Sequence, residues 1–218
     1  MNDPFLLVFL ISLFGLLLLF INVCLFLKTL KSNYKNKLYK SVLTYLSIYF
    51  IIELVCNIIG YLEPKANIFV SHFAFSLQFL FLSLFFYSLF EKMILKKLVV
   101  VMFFFFLVTN MSLYFNDGTL FWEFNLFEIV ASSFLIIGYT LIHLFNNLGE
   151  KKNYFYFTIG VSAYMLTSSV IFLSGNLDLV FIKDPYIDIW IFNSLFFIIY
   201  QVLIFKEWSY IKSLQPNE

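Results

Sequence analysis

The sequence predicts an all-α protein, a polytopic membrane bundle of seven transmembrane helices that forms a single domain over residues 1–218. Three observations support this fold class. Hydrophobic residues make up 62% of the chain and charged residues only 12%, whereas a soluble domain keeps about a quarter of its residues charged. Apolar runs of about 20 residues, enough to cross a ~30 Å hydrocarbon core, recur along the whole chain. Charged or helix-breaking residues separate these runs.

Each apolar run predicts one membrane-spanning helix. The runs are 4–27, 41–62, 69–91, 95–115, 121–145, 154–174 and 187–206. The first could be mistaken for a cleaved signal peptide, which begins with basic residues and has a short apolar centre. Here Asp3 stands at the start, the apolar run is longer, and the lysines follow it. We therefore expect a retained helix.

The lysines predict the orientation of the helices, because cytoplasmic loops are enriched in positive charge. Twelve of the 14 lysines fall in the first, third and fifth connections and in the C-terminal tail, and only Lys65 and Lys183 fall on the opposite side. This alternation predicts a multi-pass protein of the cytoplasmic (inner) membrane. Its N-terminus faces outside and its C-terminus faces the cytoplasm.

Composition also excludes several classes of protein. Every basic residue is lysine, so the chain has no arginine with which to clamp phosphate or carboxylate groups. We therefore expect no nucleic acid partner. Cys24 and Cys56 both lie in apolar runs, which favours small buried side chains over a disulfide or a metal site. We expect neither a cofactor nor a metal.

Polar side chains inside the runs lie at helical spacing, which places them on one face of each helix. Polar groups within a membrane are costly and usually face the interior of a bundle. Counted from the outer ends of their helices, most of them fall roughly 8–16 Å deep. We expect them to line one ligand pocket that opens to the outside. The alternative is that they only join helices through hydrogen bonds. The candidate residues are Glu53, Asn57, His72, Glu128, Ser132, Tyr164, Ser168 and Asn193.

The two acids among these candidates favour a functional role over a structural one, because a buried carboxylate requires a partner or a proton. No lysine lies in the interior of any predicted span, so His72, near the outer mouth, is the available source of positive charge for Glu53 and Glu128. A cationic ligand would supply the missing charge, and we hypothesise that one binds there.

Enzymatic activity is not expected. A retinal protein needs a lysine inside its last helix, and residues 187–205 contain none. Seven-helix zinc hydrolases need several converging histidines, whereas this chain has only His72 and His143, predicted near opposite membrane faces. An intramembrane protease based on glutamate would require adjacent acids, and no Glu-Glu pair occurs.

A small-solute transporter is the main alternative to a receptor. Carriers of this size typically contain a duplicated three-helix unit and helices broken at proline. All four prolines here lie at span ends or in connections, and the first three spans do not repeat in the last three. The positions of the prolines and the lack of a repeat favour a sensor over a transporter.

Three stretches of sequence carry a resemblance to known proteins. They are Ser76-Leu-Gln-Phe79 through Phe86-Tyr87, Tyr164 with Ser168-Ser169, and Phe192-Asn193 through Ile199-Tyr200. The chain resembles small, uncharacterised bacterial seven-helix membrane proteins, which are in turn similar to the membrane-sensor modules of histidine kinases. The resemblance implies a sensor. Together with the predicted pocket, it leads us to expect a receptor for a small extracytoplasmic ligand that signals through a separate partner protein or a homo-oligomer. A structural subunit of a membrane complex is a further alternative.

Overall fold

The structure, a computed structural model, describes residues 4–62, 67–123, 125–147, 154–176 and 189–214. These residues form seven α-helices and one short 3-10 turn, and none of them lies in a strand. The elements are α1 (Pro4–Lys28), α2 (Lys37–Leu62), α3 (Asn67–Leu89), α4 (Met93–Asn116), the 3-10 turn (Gly118–Phe121), α5 (Leu126–Asn146), α6 (Phe155–Asn176) and α7 (Ile189–Ser213). The seven helices are long and apolar enough to cross a membrane. The protein is therefore an all-α, multi-pass membrane protein, which confirms the predicted fold class.

Two helix boundaries differ clearly from the predicted runs. Helix α5 begins at Leu126 instead of residue 121, because the preceding residues form the 3-10 turn. Asp117 caps that turn by accepting from the backbone N–H of Thr119 at 3.0 Å. Helix α7 continues to Ser213, seven residues past its predicted end at 206. Hydropathy locates the apolar part of a helix and does not register polar turns that continue it.

Several sequence-based predictions concern residues that the structure does not describe. The start of the seventh predicted span, residues 187 and 188, lies outside the described ranges. So do four of the lysines that predict the topology, namely Lys65, Lys151, Lys152 and Lys183.

The chain divides into two compact units, each described separately below. The first unit contains α1, α6, α7 and the end of α5 from Thr140 onward, and the second contains α2, α3, α4, the 3-10 turn and α5 up to Tyr139. The expectation of one domain over residues 1–218 stays a prediction.

Glycines allow close packing of the helices in the first unit. A Cβ atom on Gly15 would stand 2.6 Å from the Phe197 ring, and one on Gly160 would stand 2.8 Å from the Tyr200 ring. A side chain at either position would therefore force the facing ring to shift, and small residues are common where membrane helices approach closely. Helix α7 thus packs directly against both α1 and α6.

Aromatic side chains form much of the core of the second unit. Tyr39, Leu46 and Tyr49 are buried on α2 at helical spacing. Between α3 and α4, the rings of Phe79 and Phe106 lie 4.4 Å apart, centroid to centroid. These contacts pack α3, which carries two side chains of the candidate site, against α4.

One face of α4 is apolar and exposed. Its exposed side chains include Phe104, Val108, Met111 and Phe115, the last with 89% of its surface accessible. Contiguous apolar surface of this kind marks a membrane or protein interaction site. A lipid bilayer covers such a face naturally, in keeping with the hydropathy of the helix.

Candidate functional site

The candidate site is built around Glu128, whose position is fixed by the start of α5. Asn125 immediately precedes the helix and accepts from the backbone N–H of Glu128 through its Oδ1 at 3.2 Å. Asparagine is a preferred residue at this capping position because it satisfies an otherwise unpaired amide. Its side-chain amide donates in turn to Oδ1 of Asn110 in α4, at 3.1 Å. The first turn of α5 is therefore tied to α4.

The Glu128 carboxylate is fully buried and accepts hydrogen bonds from side chains of two other helices. The Ser76 hydroxyl in α3 donates to Oε1 at 2.6 Å. The Tyr114 hydroxyl in α4 donates to Oε2 at 2.8 Å. Nδ1 of His72 in α3 lies 2.8 Å from the same Oε2. We call these four side chains, Glu128, Ser76, Tyr114 and His72, the carboxylate cluster.

The carboxylate cluster resolves the electrostatic problem that the sequence poses. A buried carboxylate is tolerated when it is paired and hydrogen-bonded, and both oxygens of Glu128 have donors. His72, identified from sequence as the available source of positive charge, is in direct contact with it. Both carboxylate oxygens of Glu128 are therefore hydrogen-bonded within the protein, so the geometry adds no argument for a cationic ligand, which stays a prediction.

The geometry orients the His72 ring and leaves one of its nitrogens for other interactions. Nδ1 faces Glu128 and also lies 2.8 Å from the Tyr114 hydroxyl. A carboxylate that accepts from one imidazole nitrogen fixes the ring and determines the role of the other. That other nitrogen, Nε2, is buried and has no hydrogen-bond partner among the described residues, and only 5% of His72 is exposed. A buried polar atom of this kind calls for a further partner, which an ordered water molecule or a bound ligand can supply.

Aromatic rings surround the carboxylate cluster on the side of the 3-10 turn. Phe121, the last residue of that turn, stacks on Tyr114 at 4.3 Å and meets the His72 ring edge-on at 6.4 Å, centroid to centroid. Phe69 in α3 stacks on the exposed Trp122 at 5.5 Å. The turn is held by Asp117, whose hydrogen bonds from Thr119 keep the pKa of this exposed carboxyl below its usual value. Phe69 also lies 6.2 Å from Phe121, centroid to centroid, so these rings and the imidazole form one continuous set of ring contacts.

The structure brings together only some of the residues predicted from sequence. His72 and Glu128 are in contact, and Ser132, one turn later in α5, donates to the backbone carbonyl of Glu128 at 2.6 Å. Glu53 and Asn57 of α2 are half-buried, and the Asn57 side chain donates to the Glu53 backbone carbonyl at 2.8 Å. The Glu53 side chain is hydrogen-bonded to Tyr49.

The other three predicted residues belong to the first unit. Tyr164 is buried and stacks on Tyr200 at 5.4 Å, centroid to centroid. Ser168 is buried one turn further along α6. Asn193 in α7 is half-buried, and its Oδ1 has no hydrogen-bond partner among the described residues. The common pocket for all eight residues stays a prediction.

Sequence reasoning did not select three members of this network. Ser76 lies in one of the stretches that carry the resemblance, but Tyr114, Asn110 and Asn125 were not named. The spacing of Asn110 and Tyr114 is a usable signal, since residues four apart share a helix face. However, a tyrosine near the end of an apolar run is just as typical of a residue that anchors a helix at the membrane interface.

A second buried carboxylate, Glu207 near the end of α7, lay just beyond the predicted seventh span. Its Oε2 accepts from the backbone N–H groups of Tyr156, at 2.9 Å, and Phe157, at 3.2 Å. These amides belong to the first turn of α6, where a negative charge is favoured. Glu207 therefore caps α6 from a neighbouring helix, which indicates a structural role.

The chemistry available at the carboxylate cluster is hydrogen bonding and proton exchange. Among the described residues, no three His, Cys, Asp or Glu side chains come together as a metal site requires. The cluster is therefore best described as an oriented imidazole, backed by a carboxylate and flanked by aromatic rings.

No protein-family model matches the chain, and comparisons with curated proteins and with solved structures found no match.

Proposed function

We propose that this protein is a seven-helix membrane receptor or sensor that binds a small extracytoplasmic ligand at His72. The observation that carries the proposal is the buried Nε2 of His72, which has no partner among the described residues although Glu128 fixes the ring. A polar atom buried in this way is usually satisfied by a further group. The bound ligand supplies that group.

The start of α3 and the start of α5 form the proposed binding region, which fits the orientation derived from the lysines. With the N-terminus outside and the C-terminus in the cytoplasm, both helices begin at the outer surface of the inner membrane. His72 lies in the second turn of α3, and Glu128 lies in the first turn of α5. A ligand therefore reaches the imidazole from outside without crossing the hydrocarbon core.

The continuity of the helices supports a sensor over a transporter. Carriers commonly bind solutes where membrane helices are broken, whereas each of the seven helices here is assigned as one uninterrupted α-helix. Pro4, the proline within the described residues, stands at the first position of α1. Output passes to a separate signalling protein or to a second copy of the chain.

The experiment measures thermal unfolding of the purified protein in nanodiscs with a panel of small carboxylic acids, amines, sugars and amides. A ligand of the His72 site raises the melting temperature of the wild type, since it binds only the folded state. The same compound has no effect on the H72Q variant, while the matched H143Q variant, altered at the other histidine, keeps the response. If no compound gives this pattern, or if H143Q loses it equally, the receptor site is not at His72.

A second measurement separates a receptor from a transporter. The stabilising compound, radiolabelled, is offered to proteoliposomes that contain the wild-type protein. A receptor binds it in proportion to the amount of protein, without accumulation inside the vesicles over time. Protein-dependent accumulation in the lumen would instead identify a transporter that uses the same residues.

A further inference from the structure

The class of ligand can be narrowed from the hydrogen-bonding capacity that remains at the proposed receptor site. Glu128 already accepts from Ser76 on one oxygen and from Tyr114 and His72 on the other. The carboxylate is therefore poorly suited to recruit an ammonium group. The polar atom that is left to bind a ligand is the Nε2 nitrogen of His72.

An imidazole whose Nδ1 faces a carboxylate has two forms at Nε2. In the neutral ring, Nδ1 holds the proton and Nε2 accepts a hydrogen bond, whereas in the imidazolium Nε2 donates one. A carboxylic acid suits both forms: its O–H donates to the neutral ring, and its carboxylate accepts from the imidazolium. The two arrangements differ only in the position of the proton between the acid group and Nε2, and in both of them Nδ1 keeps its proton toward Glu128. An amine suits only the first form, and in its protonated state it would add a positive charge beside an imidazolium.

The residues around His72 indicate the shape and polarity of the rest of the ligand. The ring is flanked by Tyr114 and Phe121, and Phe69 and Trp122 extend the aromatic surface toward the outside. Flat apolar molecules gain from burial against such rings and from ring stacking. A highly hydroxylated solute such as a sugar would leave most of its polar groups unpaired there, which is costly.

We propose, on the basis of the receptor function above, that the site binds small aromatic or similarly apolar carboxylic acids. The acid group bonds to Nε2 of His72, and the apolar body lies against Phe121 and its aromatic neighbours. Glu128 does not contact the ligand directly. It acts as a positioning residue that fixes the imidazole.

Nitrogen NMR of the two histidines tests this proposal directly. The whole chain, labelled with ¹⁵N-histidine, gives signals from His72 and His143 only, and the H143Q variant assigns them. Benzoate serves as the probe, with benzyl alcohol and benzylammonium as neutral and cationic controls of the same size. We expect benzoate to shift the His72 Nε2 signal saturably and to leave the His143 signals in place. Both controls leave the His72 signal unchanged at the same concentration.

Calorimetric titration with benzoate provides a second readout. Loss of a hydrogen bond to a charged group weakens binding by roughly ten- to a hundredfold. We therefore expect the H72Q variant to bind benzoate with an affinity lower by this factor. The S88A variant, altered at an exposed serine of the same helix, is expected to bind like the wild type. Ser88 lies outside the carboxylate cluster, and its hydroxyl donates only within α3.

Two results would overturn the assignment of ligand class. One is a His72 signal that benzoate does not move, and the other is an equal response to benzyl alcohol or benzylammonium. If another compound class still stabilises the wild type and not H72Q, the receptor function stands and only the acid class is wrong. If nothing in the panel acts through His72, both proposals fail together.

Discussion

The side-chain amide of Asn22 in α1 donates to two oxygens of Gln201 in α7, the backbone carbonyl at 2.9 Å and Oε1 at 3.1 Å. Both residues are buried in the first unit. Hydrogen bonds between membrane helices contribute about 0.6 kcal/mol on average and up to about 1.7 kcal/mol. Because Asn22 donates two such bonds, we expect their stabilising contribution to lie in the upper part of that range.

The Asn22→Val variant is predicted to lower the free energy of unfolding by about 1 kcal/mol, because Gln201 loses its donor in a buried position. Reversible unfolding in mixed detergent micelles measures this difference. Cys24 is exposed on the same helix, contrary to the buried position predicted from sequence, so Cys24→Ala is the control and is expected to match the wild type. An Asn22→Val variant as stable as the control would show that the contact does not stabilise the fold.

Glu128→Gln is predicted to lower the free energy of unfolding by about 1–3 kcal/mol. The amide keeps one oxygen but presents an NH₂ group to donors that require an acceptor, so buried hydroxyl or imidazole groups lose partners. Tyr114→Phe removes a single donor and is expected to cost less, about 0.5–1.5 kcal/mol. Glu123→Gln, at an exposed position, provides the matched control. Equal stability of the Glu128 and Glu123 variants would mean that the carboxylate cluster is not formed as described.

Substitution of two helical glycines by alanine should give effects of opposite sign. Gly160→Ala places a methyl group 2.8 Å from Tyr200 and 3.2 Å from Leu203, and such overpacking costs about 1–3 kcal/mol. Gly138→Ala meets nothing within 4 Å in α5, and alanine favours a helix over glycine by up to about 1 kcal/mol. Thermal unfolding of both variants in the same detergent compares them. A stabilised Gly160→Ala variant would contradict the close packing of α6 on α7.

Glu207→Gln is predicted to weaken the start of α6 by about 0.5–2 kcal/mol, the usual contribution of a helix cap. The loss should be local, because the acceptor serves the amides of Tyr156 and Phe157. Hydrogen exchange measured by mass spectrometry on peptides that cover these amides should become faster. Peptides from α3 should be unchanged. Unchanged exchange at the start of α6 would exclude a capping role.

The topology derived from the lysines predicts how introduced cysteines react with a membrane-impermeant thiol reagent. In a chain whose Cys24 and Cys56 are replaced by alanine, cysteines at Asn2 and Asn176 should label from outside, because the predicted topology assigns these positions to the extracytoplasmic side. Cysteines at Lys35 and Asn217 should label only after the membrane is permeabilised. Equal labelling at positions 2 and 217 in intact cells would imply an even number of spans.

The sequence was sufficient to predict the fold class, because a run of about 20 apolar residues has few alternatives to a membrane helix. It also identified His72 and Glu128, since ionisable groups are rare in such runs. It did not reveal that they pair, because 56 positions separate them and the contact depends on how α3 packs against α5. Tyr114 was missed for a related reason: its hydroxyl becomes a carboxylate donor only once α4 is in place.

The cap that Glu207 provides restricts how α6 and α7 can move. A shift of one residue along the helix axis is about 1.5 Å, which is enough to separate the Glu207 oxygen from the amides of Tyr156 and Phe157. Sliding of the two helices therefore requires both bonds to break, so α6 and α7 should translate together. Spin labels attached to exposed positions of these two helices, such as Leu166 and Val202, would then report a constant separation. Such a label pair provides an internal distance standard for spectroscopic studies of this protein.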